Sequence, residues 1–168
     1  MHPIGLRAYH GHVPLPLSET NDVCFYYFLA QASLRQLLFA TLDVVGYKSG
    51  QIKRSPILTT ELRKSIWDWY CHLPPALWFP LEPTPLFDTR KAFLRAQYFS
   101  LFVLIGWPSV LWLLELPSAD VEDIKGSSYY ERAKSDAKDC ISKCALLLES
   151  SDEVLSRRNL GTQLVLWS

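Results

Sequence analysis

Side chains capable of chemistry are few and far apart in this chain. His10 and His12 form an isolated His-x-His, and a metal would need further ligands that are not close in sequence. Cys24, Cys71, Cys140 and Cys144 lie in apolar stretches with no Cys-x-x-Cys pair among them. Cys140 and Cys144, at i and i+4, share one helix face, where reduced thiols pack as small hydrophobes. Cys71 and His72 are adjacent, but neighbours on a helix point about 100° apart and do not make a nucleophile–base pair. Glu122 and Asp123 read as solvated carboxylates in a polar loop. A Gly-x-Ser-x-Gly elbow, a phosphate-cradling glycine loop and a His-Glu-x-x-His helix are all missing from the sequence. The expectation is therefore a protein without catalytic or metal-ligating residues. The residues with most capacity to recognise something are the aromatics Trp69, Tyr98, Phe102 and Trp107, which either wall an apolar effector pocket with a few polar handles or pack as core.

The element that must position them is Phe93 to Leu116, FLRAQYFSLFVLIGWPSVLWLLEL, the most apolar stretch of the chain. No formal charge interrupts it from Ala96 to Leu114. About 20 apolar residues cover the roughly 30 Å hydrocarbon core of a bilayer, so length alone permits a membrane span. The flanks permit it too, with Arg90, Lys91 and Arg95 before the run and Glu115, Asp120, Glu122 and Asp123 after it. Pro108 argues the other way. It has no N–H and clashes with the carbonyl four residues back, which predicts a stop or kink near Trp107 and an arm from Leu94 to Gly106 of core-helix length. A soluble core helix is the favoured expectation, with a membrane anchor over residues 96 to 114 as the alternative.

Composition sets the outer limits. Of 168 residues 49% are hydrophobic and 13% aromatic, enough for one domain with a real core and too many for general disorder. Seventeen basic residues balance seventeen acidic ones, so no overall field holds the chain on a phosphate backbone, and no DNA-binding residue is assigned.

Residues 1 to 17, with Pro3, Pro14 and Pro16 among Gly5 and Gly11, read as an extended lead-in. The first helix is predicted from Asn21 or Asp22 to Val45, with apolar residues at three- and four-residue steps and Gly46 as its left-handed stop. Lys48, Lys53 and Arg54 form a small solvated basic cluster in the next loop. The second helix is predicted to be capped by Thr59 or Thr60, to turn Leu62, Ile66, Trp69 and Leu73 inward, and to stop at Pro74 and Pro75. Pro80, Pro83 and Pro85 make a semi-rigid connector to the central helix. Ser128 with Glu131 gives a capping box for a fourth helix, whose stripe is Ala133, Ala137, Cys140, Ile141, Cys144, Leu147 and Leu148 and which ends near Ser150. A fragmentary fifth element runs from Glu153 to Ser168. The predicted fold is all-α, an antiparallel domain of about four to five helices, incomplete at both ends.

Three stretches in this order resemble the fungal-specific transcription factor domain, the helical middle homology region that accompanies the binuclear zinc cluster. FYYFLAQASLRQLLFATLDVVGY, residues 25 to 47, is similar to the family's early long helix. ELRKSIWDWYCHLPPALWF, residues 61 to 79, resembles its helix in which a Trp, here Trp69, precedes a Leu-Pro-Pro break at Leu73, Pro74 and Pro75. LRAQYFSLFVLIGWPSVL, residues 94 to 111, resembles the central helix led by an aromatic pair, here Tyr98 and Phe99. Weaker matches continue through Cys140 to RRNLG at Arg157 to Gly161, so the resemblance covers about residues 18 to 168. Trp107 departs from it, because the family usually places a basic residue before the proline.

The resemblance implies a buried central helix and a regulatory portion of a transcription factor that modulates transcription by RNA polymerase II. It implies a nuclear location, a co-regulator or transcription-machinery partner and a small-molecule effector, without a membrane. It also implies that zinc belongs to an upstream cluster absent from this chain, which is then a truncated member; the other reading is a non-functional remnant.

Overall fold

In the computed structural model, residues 22–47, 49–52, 54–117 and 124–156 are described, with side chains up to residue 150. They form four α-helices and no strand: α1 (Val23–Val45), α2 (Pro56–Cys71), α3 (Thr89–Glu115) and α4 (Ser128–Ser156), with a 3-10 turn at Pro75–Leu77. The fold is all-α, as the helical periodicity predicts. The expected lead-in over residues 1 to 17 and most of the expected fifth element lie outside the described residues.

Helix α1 starts and stops on local chemistry. The Asp22 carboxylate accepts from the Cys24 N–H at 2.9 Å, and Gly46 closes the helix at φ 86°. A Cβ at position 46 would also lie 2.1 Å from the Gln51 carbonyl oxygen, so no side chain fits there. Helix α2 begins earlier than its threonines suggest. Pro56 occupies the first turn, where a missing N–H costs nothing, and Ser55 is the cap residue. Thr59 and Thr60 instead donate their hydroxyls back to the Ser55 and Pro56 carbonyls. At α4 the cap is Ser127 rather than Ser128, its hydroxyl accepting from the Tyr130 N–H at 3.2 Å.

Helix α3 touches each of the other three helices, with its most extensive interface against α4. It does not end near Trp107. Pro108 lies inside a helix that continues to Glu115, which corrects the expectation of a stop there. The lost N–H leaves the Leu104 carbonyl without its helical donor, and the Tyr47 hydroxyl, from just beyond α1, donates to that carbonyl at 3.0 Å. A side chain 57 positions away thus satisfies the group that proline orphans. Tyr47→Phe is expected to cost about 1–2 kcal/mol, toward the lower end of the penalty for an unsatisfied carbonyl because this one is only partly buried. In a Pro108→Ala background, where a backbone N–H returns, the same change should cost clearly less; a denaturant double-mutant cycle measures the difference.

Close approach of α3 and α4 is set two residues before the proline, at Gly106. A Cβ on Gly106 would lie 2.6 Å from Cys140 Cβ and 3.3 Å from the Asp136 carbonyl oxygen, so the helices cross with backbone against side chain at this point. The α4 face that meets α3 includes buried Ala133, Asp136, Cys140 and Ser150. Ile141 and Leu148, expected on that stripe, are exposed. Asp136 takes an inward place because Arg63 and Arg132 both lie 3.7 Å from its carboxylate.

Arg95 shows how differently a residue reads in sequence and in space. As a flank of the apolar run it resembles a membrane-edge cation, yet it is only 2% exposed. Its guanidinium donates through Nη1 to the Glu82 and Thr84 carbonyls at 3.0 and 2.8 Å, tying the proline-rich connector to α3. Arg54, read as solvated, is also half-buried. It donates to Ser109 Oγ at 3.0 Å and stacks 4.1 Å from the Tyr129 ring centroid. Both α1 and α3 are long and apolar enough to cross a membrane by length and composition. Within those apolar windows, 44% of α3 is buried inside the protein against 22% of α1.

Candidate functional site

Helices α1 and α2 leave between them an open groove of about 790 Å³, within the volume range of small-molecule sites. From α1, the stretch FLAQASLRQLLFA lines it with the small residues Ala30, Ala32, Ser33 and Ala40 beside Leu29, Gln36 and Leu37. From α2 come Ser65, Asp68, Trp69 and His72, with Leu73 and Pro74 at the end. Trp69 Nε1 donates to Ser33 Oγ at 3.0 Å and to the Ala30 carbonyl at 3.3 Å, which fixes the indole as part of the wall. His72 Nδ1 lies 2.6 Å from the Asp68 carbonyl and caps the end of α2.

The four aromatics singled out from the sequence do not form one pocket wall. Trp69 lines the groove, and its indole stacks on Tyr98 with ring centroids 6.4 Å apart. Tyr98 and Phe102, 5.0 Å apart, are buried behind it in a cluster with Tyr70, Phe79 and Phe99. Trp107 is 37% exposed and belongs neither to the groove lining nor to that cluster. Sequence reasoning missed Ser33, Gln36, Asp68 and His72 as groove residues. The small residues on the α1 face were the available signal.

Burial sets the ionisation of the core. Desolvation pushes the Tyr47 hydroxyl up to about 12, pushes Tyr98 up further, and raises Tyr27 and Tyr70. Burial, with nearby Cys144, pushes the Cys140 thiol up to about 12. Each group is held neutral by the fold, so its contribution is fully present below its unfolded value and is lost as pH rises through the folded one. Thermal stability should therefore hold through neutral pH and fall from about pH 9, where the unfolded Cys140 thiol ionises, to about pH 12, with Tyr47→Phe flattening the part above about pH 10. Melting curves across that range check it. The same shift makes Cys140 a poor nucleophile at neutral pH. Among the described residues no three His, Cys, Asp or Glu side chains converge as metal ligands.

No protein-family model matches the chain, and no solved structure matches it. Among curated proteins it is similar to one from Aspergillus rugulosus named "Putative transcription factor ecdB", 26% identical over 104 residues. The match covers 56% of this chain and 19% of that protein, so the chain spans about a fifth of the length of its relative.

Proposed function

We propose that this chain is a regulatory, non-DNA-reading portion of a fungal transcription factor. The observation that supports it most directly is the similarity to the Aspergillus rugulosus protein. The ordered motifs of the fungal-specific transcription factor domain add to it, and the all-α fold is of the kind the resemblance implies. In this reading the chain works in the nucleus and modulates transcription by RNA polymerase II through a co-regulator protein or a small effector. The reading assigns it no catalytic step.

In this reading zinc does not enter through this chain. A binuclear cluster needs six convergent thiolates, whereas Cys24 and Cys71 are exposed, Cys140 is buried and Cys144 is partly buried. DNA contact in this reading belongs to a separate module.

Tethering tests the proposal. Fused to a heterologous DNA-binding domain in a fungal host, the chain should shift a polymerase II reporter up or down relative to that domain alone. An Arg95→Leu fusion, with its stability reserve reduced, should show a smaller shift. Output indistinguishable from the bare domain, with the fusion intact and nuclear, would overturn the reading; a fusion held in the membrane fraction would favour the anchor instead.

A further inference from the structure

We propose that the groove between α1 and α2 is a binding site for a small apolar amine, with its ammonium group at Asp68 and Trp69 and its hydrocarbon body along Leu29 and Leu37. The proposal extends the regulatory reading by naming the chemistry of an effector.

Among the described residues Asp68 is the only formally charged side chain that lines the groove, with no lysine or arginine beside it. Among the described residues its carboxylate has no ion pair or hydrogen bond to another side chain. It also stands in a place that is unfavourable for the helix alone. The last turn of α2 carries no basic residue, so Asp68 adds a negative charge where the backbone dipoles already leave about half a negative charge. Helix design by stability alone would put a cation there. Asp68 is exposed to solvent, and a bound ammonium would pair with its carboxylate and oppose the negative end of the helix.

Two more features select the ligand's shape. Trp69 lines the groove with one indole face stacked on Tyr98 and its ring N–H committed to Ser33 and Ala30, so recognition by the ring falls to its opposite face. Tryptophan is the strongest aromatic partner for a cation. The remaining wall is mainly apolar, from Leu29, Ala30, Leu37 and Leu73, so a fully polar cation would leave it wet. An ammonium head with a short hydrocarbon body matches both halves. A carboxylate of equal length would meet Asp68 with like charge, and an alcohol would gain the apolar wall without the ion pair.

Calorimetric titration of the purified chain with octylamine, octanol and octanoate, each below its aggregation threshold, tests this. Octylamine should bind roughly threefold to tenfold tighter than octanoate, as expected when one exposed ion pair replaces a like-charge contact. Asp68→Asn should abolish that preference while raising the melting temperature, because it relieves the clash with the α2 dipole; loss of binding would then not reflect misfolding. Ala40→Phe, which fills the groove from an exposed α1 position, should weaken all three ligands. Equal affinity for octylamine and octanoate, or an amine preference that survives Asp68→Asn, would overturn the proposal. Either result is read on the groove alone and leaves the reporter test of the regulatory role unaffected.

Discussion

Arg95→Leu should cost about 3–5 kcal/mol, since it removes two charge-assisted hydrogen bonds of roughly 1.5–3 kcal/mol each and strands their carbonyl partners. The partners are the Glu82 and Thr84 carbonyls of the connector between the 3-10 turn and α3. That connector has few regular hydrogen bonds of its own, and Arg95 fixes its path over the core beside buried Leu77 and Phe79. Against a typical domain stability of about 5–15 kcal/mol, such a loss leaves little reserve. The effect should be local first. Proteolysis between Phe79 and Asp88 should accelerate before the helices melt. Arg95→Lys should recover only part of the loss: one ammonium can donate to both carbonyls, but it is more strongly hydrated than a guanidinium and costs more to bury. Urea denaturation gives the stability, and limited proteolysis locates the opening.

Gly106→Ala is the second large effect, at about 2–3 kcal/mol, toward the upper end for overpacked cores. The clash is with Cys140 Cβ and the Asp136 carbonyl, neither of which can rotate away. Relief requires α3 and α4 to separate, and theirs is the most extensive helix interface in the fold. Cys140→Ala keeps the offending Cβ and should not rescue. Cys140→Gly removes it and should recover part of the loss, although glycine within a helix itself costs about 1 kcal/mol. A coupling near zero in that cycle would show that the two positions do not touch.

These two residues mark where the sequence is legible and where it is not. The ends of α1 are readable because Asp22 and Gly46 act within a few residues of the backbone they satisfy. The inward faces of α1 and α2 follow from three- and four-residue spacing, with Ala30, Leu34, Leu62 and Ile66 buried as that spacing implies. Pro108 is misread for the opposite reason. Its helix-breaking tendency is local, but the compensating hydroxyl comes from Tyr47 on another element, and no window along the chain contains both. Arg95 fails in the same way, because its partners are main-chain carbonyls that carry no signature in side-chain type. Ile141 and Leu148 show the limit of periodicity, since Asp136 can take the inward place once Arg63 and Arg132 meet its charge.

The candidate site was half visible. Trp69 was identified, while Asp68 and His72 were not, because a groove is a relation between two helices. Small residues on α1 signal a gap only once α2 is known to lie beside them. Tyr98 and Phe102 are apolar enough for either a pocket or a core, and burial places them in the core.

All of these readings depend on α3 being covered by protein rather than lipid, and the natural cysteines report on that directly. Cys24 and Cys71 are exposed, whereas Cys140 is buried where α4 meets Gly106. The decisive measurement is thiol alkylation of the detergent-free chain at neutral pH, with each site followed by mass spectrometry. The account predicts fast labelling of Cys24 and Cys71 and labelling of Cys140 only at the rate of unfolding, accelerated in Gly106→Ala. Cys140 labelling as fast as Cys24 in the native chain, or a chain that stays dispersed only in detergent, would contradict it.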